Sequence, residues 1–157
     1  MNIKLITIGK TDNSNLQQLI SDYEKRLLHY INFELVTIPD LKNSKSLSEE
    51  QQKTKEGELI LKQIELSHEL ILLDERGKEY TSVGFSEYIQ KKLNTGIKQL
   101  TFVIGGPYGF SQEVYARANG MLSLSKLTFS HQMIRLFFVE QVYRAFTILK
   151  NEPYHHR

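Results

Sequence analysis

The last seven residues of the chain concentrate side chains that move protons and bind anions. The phenol of Tyr154, the imidazoles of His155 and His156 and the guanidinium of Arg157 close the sequence, directly after a strongly apolar segment. Histidine and tyrosine are common general acids and bases, and arginine binds carboxylates and phosphates. Chain termini are usually poorly ordered unless something ties them down. Either this tail is a solvated end, or a surface outside the fold, such as a second subunit, holds it in place.

A second candidate is the glycine cluster Gly105-Gly106-Pro107-Tyr108-Gly109, which follows an apolar run. It lacks the Gly-Lys-Ser/Thr of a Walker phosphate loop, and its order and position differ from those of a dinucleotide fingerprint. What remains is a tight turn at which a ligand can approach the bare backbone, because glycine has no Cβ. A purely structural turn explains these glycines about as well.

Composition excludes several classes of protein. The chain of 157 residues suits one domain with a substantial core, and it contains no cysteine. Disulfides, thiolate metal sites and cysteine nucleophiles are therefore excluded, and the lack of cysteine fits a reducing cytosol. The opening MNIKLITIGK has too short an apolar run for a signal peptide, and no later run has membrane length. We expect a single cytoplasmic domain over residues 1–157.

Basic residues gather toward the C-terminus. Residues 121–157 contain five lysine and arginine residues against two glutamates, a local charge of +3 in a chain whose net charge is +2. Such an end suits an anionic partner, although so small a charge is equally typical of a solvated face.

Strand and helix patterns alternate along the chain and must position these residues. Apolar runs predict strands over residues 3–9, 33–39, 68–74 and 100–106, and a strand or a strand followed by a loop over residues 121–129. Helical periodicity predicts helices over residues 16–28, 46–66, 82–96, 111–118 and 132–150. Ser46 and Glu49 have the spacing of a capping box, and residues 75–78 are expected to form a turn after the third strand. The predicted fold class is α/β, an open and mostly parallel sheet with helices on both faces.

In open sheets of this kind, ligands bind beyond the carboxyl ends of the strands. Three segments follow predicted strands or end them, and they are residues 73–77, 105–109 and 124–129. These segments are therefore the candidates for a binding edge.

The predicted last helix has apolar residues on too many sides. A helix that covers one face of a sheet needs an apolar stripe about 100° wide, and the stretch from Met133 to Leu149 exceeds it. The excess must be buried in a deep central position or in a subunit interface, and the small domain favours the interface. Arg135 lies on the apolar side, where its charge needs a partner from a ligand or a second chain. Glu140 and Arg144 have the i, i+4 spacing of an ion pair.

Several segments together resemble the RlmH-type methyltransferases of the SPOUT superfamily. They are IKLITIGK at the start, LILLDERGK, FVIGGPYGFS, and LSLSKLTFSHQMIRLFFVEQVYRAFTILKNEPYHHR at the end. The resemblance covers essentially the whole chain, and its most specific part is the C-terminal order S-x-S-K-x-T-F-x-H-Q-M-x-R, E-Q-V-Y-R-A and P-Y-H. Ser130 stands where the family often has proline, and serine is a good helix N-cap.

That resemblance implies a fold and an activity. Family members are small homodimers whose C-terminal segment threads through a loop, which forms a trefoil knot that holds S-adenosylmethionine. Their substrate is a pseudouridine of 23S ribosomal RNA, which is methylated at N3 on the assembled ribosome. No metal is needed, because the sulfonium already makes its methyl group electrophilic. The low net charge of this chain fits a preformed ribosomal surface better than free RNA.

The resemblance also assigns residues. The expected cofactor contacts are Leu73, Gly105, Leu124, Ser125, Lys126, Leu127, Thr128 and Phe129. The catalytic candidates are Tyr154, His155 and Arg144, because the imide nitrogen needs a base or a cation that stabilises its anion. Weaker candidates for RNA contacts are Arg135, His131, His156 and Arg157. We expect the tail of one subunit to fold over the cofactor of its partner, and RNA binding to order it.

Two other functions remain open on the sequence. The chain could be a different RNA or protein methyltransferase on the same knotted scaffold. It could also be a non-catalytic dimeric α/β module that binds a nucleotide or RNA. Binding of S-adenosylmethionine separates the second of these from an enzyme.

Overall fold

Five parallel strands form the centre of the molecule in a computed structural model that describes residues 1–156. The strands are β1 (Asn2–Ile8), β2 (Asn32–Ile38), β3 (Glu69–Glu79), β4 (Gln99–Ile104) and β5 (Gly120–Ser123). The helices are α1 (Ser14–Leu27), α2 (Glu49–Lys62), α3 (Ser82–Asn94), α4 (Gln112–Arg117) and α5 (Met133–Leu149). All ten predicted elements are therefore present.

The strand order in the sheet is β2-β1-β4-β3-β5, and every neighbouring pair is parallel. The carboxyl ends of all five strands therefore meet at one edge of the sheet. Alternate residues of a strand face opposite sides, so that Ile3 and Leu5 pack with α1, α3 and α5, whereas Ile6 and Ile8 pack with α2 and α4. The prediction of helices on both faces is confirmed, and the sheet is wholly rather than mostly parallel.

The last helix occupies a central position between α1 and α3. Phe138, Val139 and Val142 are completely buried there, which accounts for most of the apolar surface of α5. Met133 and Phe137 remain 41% and 40% exposed. A deep position thus explains most of the excess, and a smaller apolar surface is left uncovered.

The predicted turn at residues 75–78 is wrong. Strand β3 continues to Glu79, and Leu73 and Lys78 both pair with Leu122 of β5, so that the residues between them bulge out of the ladder. The two backbones approach closely at this point, because a Cβ on Gly77 would lie 2.6 Å from the backbone nitrogen of Leu122. A bulge of this kind re-aims side chains at the edge of a sheet, and here it carries charged residues to the carboxyl edge.

The capping box of α2 lies two residues later than predicted. The Ser48 hydroxyl accepts a hydrogen bond from the Gln51 N–H at 3.1 Å, and the Gln51 side chain accepts one from the Ser48 N–H at 2.9 Å. Ser46 belongs instead to a short 3-10 helix, which follows Asn43 in a left-handed conformation with φ of 59°.

The fifth strand ends at Ser123, so that residues 121–129 are a strand followed by a loop, one of the two predicted alternatives. Local side-chain bonds replace the ladder beyond it, since the Ser123 hydroxyl donates to the Ser125 carbonyl and the Ser125 hydroxyl accepts from the Leu127 N–H. Residues 124–132 therefore form a loop that leads from the edge of the sheet to α5. As expected, the Ser130 hydroxyl accepts from the Met133 N–H at the start of that helix. Within residues 1–156, no helix is long and apolar enough to cross a membrane.

Candidate active site

A cavity of about 500 Å³ opens at the carboxyl edge of the sheet, and all three segments singled out in the sequence line it. Its wall includes seven of the eight expected cofactor residues, namely Leu73, Gly105, Leu124, Ser125, Leu127, Thr128 and Phe129. Lys126 is not in the wall, because its side chain is 87% exposed and points its ammonium group to a carboxylate oxygen of Glu79, 3.8 Å away. The expected binding edge is thus a real cavity, and cofactor contact at these residues stays a prediction.

The glycine turn forms one wall of the cavity. The Gly109 N–H donates to the Gly106 carbonyl at 3.1 Å, and Gly109 has a positive φ of 82°. Behind the turn, a Cβ on Gly106 would lie 2.6 Å from Oε1 of Glu56, a buried side chain of α2. The protein's own packing therefore requires glycine here, and the same packing leaves bare backbone facing the cavity.

The β3 bulge brings an ionic network to the cavity wall that the sequence analysis did not identify. The Asp74 carboxylate accepts hydrogen bonds from the Arg76 N–H at 2.9 Å and from the Tyr115 hydroxyl at 2.5 Å. The Arg76 guanidinium donates to the same tyrosine oxygen. The sequence signal was the charged run after a buried strand, which was predicted to be a turn and one of the three candidate binding segments.

This network fixes a negative charge in the cavity. Partial burial by itself would raise the pKa of Asp74, but the hydrogen bonds from Arg76 and Tyr115 outweigh burial and lower that pKa. Asp74 is therefore ionised at neutral pH. Such a carboxylate can accept from ligand hydroxyls and attract a ligand cation.

Among the expected RNA contacts, His131 lines the cavity and Arg135 does not reach the surface. The Arg135 side chain is 1% exposed and donates to the carbonyls of Ile8 and His131 and to the Thr11 hydroxyl. Burial lowers its pKa, although Asp12 and Asp40 act against that shift. The partners of this guanidinium thus lie in its own chain, and the expectation of a ligand or a second chain is wrong. A side chain this deep is not available to RNA in this arrangement.

The three catalytic candidates meet around Glu140. The Tyr154 hydroxyl donates to Oε1 of Glu140 at 2.9 Å, and the Arg144 guanidinium forms the predicted ion pair with the same oxygen at 2.5 Å. A second guanidinium nitrogen of Arg144 lies 3.1 Å from Nδ1 of His155. The tail is therefore already docked on the body of its own chain, which differs from the expectation that RNA orders it. His156 is exposed, and Arg157 lies outside the described residues.

The contacts decide which protons these groups carry. Burial, and then the hydrogen bonds with Tyr23 and Glu140, raise the pKa of Tyr154, so its phenol stays neutral. The bond to Glu140 raises the pKa of Arg144. Arginine has donors only, so Nδ1 of His155 must accept, and its proton is on Nε2. This cluster presents a cation and N–H donors, which suit the stabilisation of an anion.

Arg144, Tyr154 and His155 do not line the cavity of their own chain, among the residues described. Exposed apolar residues instead lie at one side of its mouth, where Leu127 and Phe129 line the wall. Leu127 (73%), Phe129 (38%), Met133 (41%) and Phe137 (40%) form this apolar patch, in which the rings of Phe129 and Phe137 are 5.2 Å apart. The patch adjoins the cavity, because Leu127 and Phe129 belong to both.

Comparisons with known proteins identify the family of this chain. A family model described as "Predicted SPOUT methyltransferase" matches residues 1–155. The chain is 67% and 68% identical over 157 residues to the proteins named ribosomal RNA large subunit methyltransferase H of Flavobacterium johnsoniae and Flavobacterium psychrophilum, with both chains covered completely. It is 54% identical over 156 residues to the protein of that name from Bacteroides thetaiotaomicron, with 99% of each chain covered. As the sequence resemblance predicted, the chain belongs to the SPOUT methyltransferase family, and within it to the group of ribosomal RNA large subunit methyltransferase H.

Proposed function

We propose that this protein methylates N3 of a pseudouridine in 23S ribosomal RNA, with S-adenosylmethionine as the methyl donor and the assembled ribosome as the substrate. S-adenosylmethionine is the donor of the family, and the relatives carry the name of large-subunit RNA methyltransferases. The observation that carries the proposal is the cavity where the three strand-end segments meet. Its volume of about 500 Å³ is in the range of small-molecule sites.

The cavity wall suits the chemical parts of that cofactor. Leu73, Leu124 and Phe129 offer apolar contacts for an adenine ring, and the glycine turn offers backbone donors and acceptors. The ionised Asp74 complements the positive charges of the cofactor or accepts from its ribose hydroxyls. We therefore assign cofactor binding to these walls.

When bound, the cofactor supplies an electrophilic methyl group. The tasks left to the protein are to align the acceptor nitrogen and to exclude water. That nitrogen belongs to an imide and must lose its proton, which leaves negative charge on the ring. Arg144 and the Nε2–H of His155 are donors suited to that charge, whereas the neutral Tyr154 phenol is occupied with Glu140. We assign anion stabilisation to Arg144 and His155, and their positioning to Glu140.

We further propose that the active site is shared between two copies of the chain. The catalytic candidates do not line their own cavity, in the described part of the chain, so another copy must bring them to it. The apolar patch at the mouth supports this arrangement, since a second copy that covers it also lies next to the cavity. The homodimer thus explains both the uncovered surface and the separated residues.

The proposal includes the knotted path that is typical of the family. Strand β5 is at one edge of the sheet, and α5 is packed centrally between α1 and α3. The loop 124–132 that joins them runs past the ends of β3 and β4 along the cavity wall. This return from the edge to the centre supports a chain that threads through its own loop.

Methyl mapping of ribosomal RNA tests the function. Ribosomes from a strain that lacks the gene are incubated with purified protein and methyl-labelled S-adenosylmethionine, and the 23S RNA is digested and analysed by mass spectrometry. We expect one methyl group on N3 of one pseudouridine in 23S RNA. Deproteinised 23S RNA is the control and should gain little label, because the net charge of +2 gives weak attraction for free RNA.

The same experiment distinguishes the alternatives. Label on a different nucleotide or on a ribosomal protein would indicate another methyltransferase on this fold. No label, together with no heat of binding for S-adenosylmethionine in calorimetry, would favour a non-catalytic binding module. Either outcome contradicts the proposal.

A further inference from the structure

Two tyrosines associated with α1 hold the C-terminal tail, and nothing in the proposed chemistry uses them. The Tyr30 hydroxyl donates to Oε2 of Glu152 at 2.6 Å, and the Tyr23 hydroxyl lies 3.0 Å from that of Tyr154. Tyr23 is within α1, and Tyr30 follows its end by three residues. Both rings pack against Tyr143 of α5, so the two tyrosines project toward the same side. We call Tyr23 and Tyr30 the tyrosine clasp.

The aromatic ring of Tyr143 packs against both the clasp and the tail. The ring centroid of Tyr143, on α5, is 5.7 Å from that of Tyr23, 6.0 Å from that of Tyr30 and 4.8 Å from that of Tyr154. The Arg26 guanidinium lies 5.0 Å from the Tyr23 centroid and 5.6 Å from the Tyr143 centroid. These edge and cation–π contacts fix the ring planes. The tail therefore rests on a surface formed by α1 and α5 together.

The turn after α5 points the chain toward the clasp. Asn151 adopts a left-handed conformation with φ of 56°, and the Glu152 N–H donates to the Thr147 carbonyl at 2.9 Å. This arrangement is the Schellman motif, which ends a helix and sets the direction of the chain that follows. Glu152 thus arrives next to Tyr30, and Tyr154 arrives next to Tyr23.

We propose that Tyr23 and Tyr30 are positioning residues that dock the catalytic tail on its own subunit before RNA is bound. This inference rests on the proposed function, because tail position matters to catalysis only if Arg144 and His155 take part in methyl transfer. The clasp acts through Glu152 and Tyr154 rather than on the substrate. The clasp orders the tail before the reaction begins. The catalytic step therefore does not include the entropy cost of ordering the tail.

The strength of the clasp follows from its chemistry. The Tyr30 bond to a carboxylate is charge-assisted, and such bonds are shorter and stronger than bonds between neutral groups. That hydrogen bond, followed by burial, raises the pKa of Tyr30 to about 12. The phenol therefore stays a donor at every pH at which a ribosome is intact. The Tyr23 contact links the phenol of Tyr154 to α1 while Glu140 holds it to α5.

Removal of single hydroxyl groups tests the clasp. Tyr30→Phe and Tyr23→Phe should each lower kcat on ribosomes by about tenfold, the range of a lost hydrogen bond to a charged network. KM for ribosomes and the affinity for S-adenosylmethionine should stay unchanged, because neither residue lines the cavity. Tyr88→Phe is the matched control, since this phenol on α3 has no hydrogen bond among the described residues and lies away from the tail.

A second readout follows the tail itself without RNA. In ¹⁵N relaxation, the heteronuclear NOE of the His155 and His156 amides should fall in both clasp variants, while values within α5 stay at the wild-type level. A double-mutant cycle of Tyr30→Phe with Glu152→Gln should be non-additive, with the double variant no slower than the slower single variant.

These readouts separate the clasp from the proposed function. Unchanged tail NOE values, or additive losses in the cycle, would overturn the clasp even if methyl transfer is found. Loss of tail order with wild-type kcat would overturn its positioning role. If the wild-type protein transfers no methyl group, the proposed function and the catalytic role of the clasp both fall, while the NOE values still decide whether the clasp holds the tail.

Discussion

At the scale of single residues, the charges of the two clusters are held in place by neighbouring side chains. Glu140 joins Arg144 to Tyr154, and Asp74 joins Arg76 to Tyr115. Each carboxylate therefore fixes a donor geometry rather than acting alone. In the cavity this leaves a stable negative charge, and beside the tail it leaves the Arg144 cation of α5, which contacts His155.

The contribution of the Asp74 charge to cofactor binding can be compared with that of the equal charge on Glu75. Asp74→Asn should weaken S-adenosylmethionine binding by about tenfold in calorimetry, because it removes a charge-assisted contact and breaks the network with Tyr115. Glu75→Gln is the control, since Glu75 also lines the cavity but belongs to an exposed position outside the network.

The two variants distinguish a specific contact of Asp74 with the cofactor from a general effect of negative charge in the cavity. Equal losses of affinity in Asp74→Asn and Glu75→Gln would mean that only the summed negative charge matters. Wild-type affinity in Asp74→Asn would remove this carboxylate from the binding site.

At the scale of elements, the spacing of apolar residues predicted the strands and helices, which depend on local burial. It missed features that depend on contacts with backbone far away in the sequence. Continuous apolar runs identified the buried strands, and the three strand ends then followed from the rule for parallel sheets. The bulge of β3 depends on the close approach of Gly77 to Leu122 of β5, which comes much later in the chain. Two of the three partners of Arg135, the Ile8 carbonyl and the Thr11 hydroxyl, are 127 and 124 residues away. No local pattern carries that information.

The tail illustrates the same limit. Its side chains were recognisable as reactive from their types, but its docking depends on tyrosines near α1, more than a hundred residues earlier. The sequence therefore predicted a tail that waits for RNA, and the structure describes a tail already held on its own subunit. The proposed knot could not be predicted from the spacing of apolar residues for the same reason, because threading depends on the path of the whole chain.

Gly77 is the residue on which the bulge depends. Gly77→Ala places a methyl group 2.6 Å from the backbone nitrogen of Leu122, where no side chain can move aside. We expect a loss of about 1–3 kcal/mol in the free energy of unfolding, the usual cost of overpacking. We also expect weaker cofactor binding, because the bulge carries Asp74 and Arg76 to the cavity wall.

Urea unfolding measures the stability of Gly77→Ala, and the same substitution at a helix glycine is the control. Gly84 lies within α3, where an added Cβ would be 3.2 Å from the Thr81 hydroxyl and no nearer than 3.7 Å to Tyr80, so the stability of Gly84→Ala should change by less than about 1 kcal/mol. If Gly77→Ala is as stable as Gly84→Ala and binds cofactor normally, the close approach of β3 and β5 does not shape the site.

At the scale of the whole molecule, we propose that neither copy of the chain is a complete enzyme. One chain has a cavity at the strand ends, and its catalytic candidates are gathered elsewhere, around Glu140. In the proposed dimer, a second copy covers the apolar patch and brings its own tail to the cavity. Catalysis in that dimer requires a cavity from one subunit and a clasped tail from the other.

Mixed dimers of two inactive variants test this claim most directly. One variant carries Arg144→Ala, which removes the proposed catalytic cation that contacts the tail. The other carries Thr128→Trp, which fills the cavity. Each homodimer should be inactive on ribosomes. After the two are mixed and exchanged, each heterodimer should contain one intact site, formed by the open cavity of the first variant and the intact tail of the second. We predict that methyl transfer returns on mixing, and a mixture that stays as inactive as its parents would contradict the shared site.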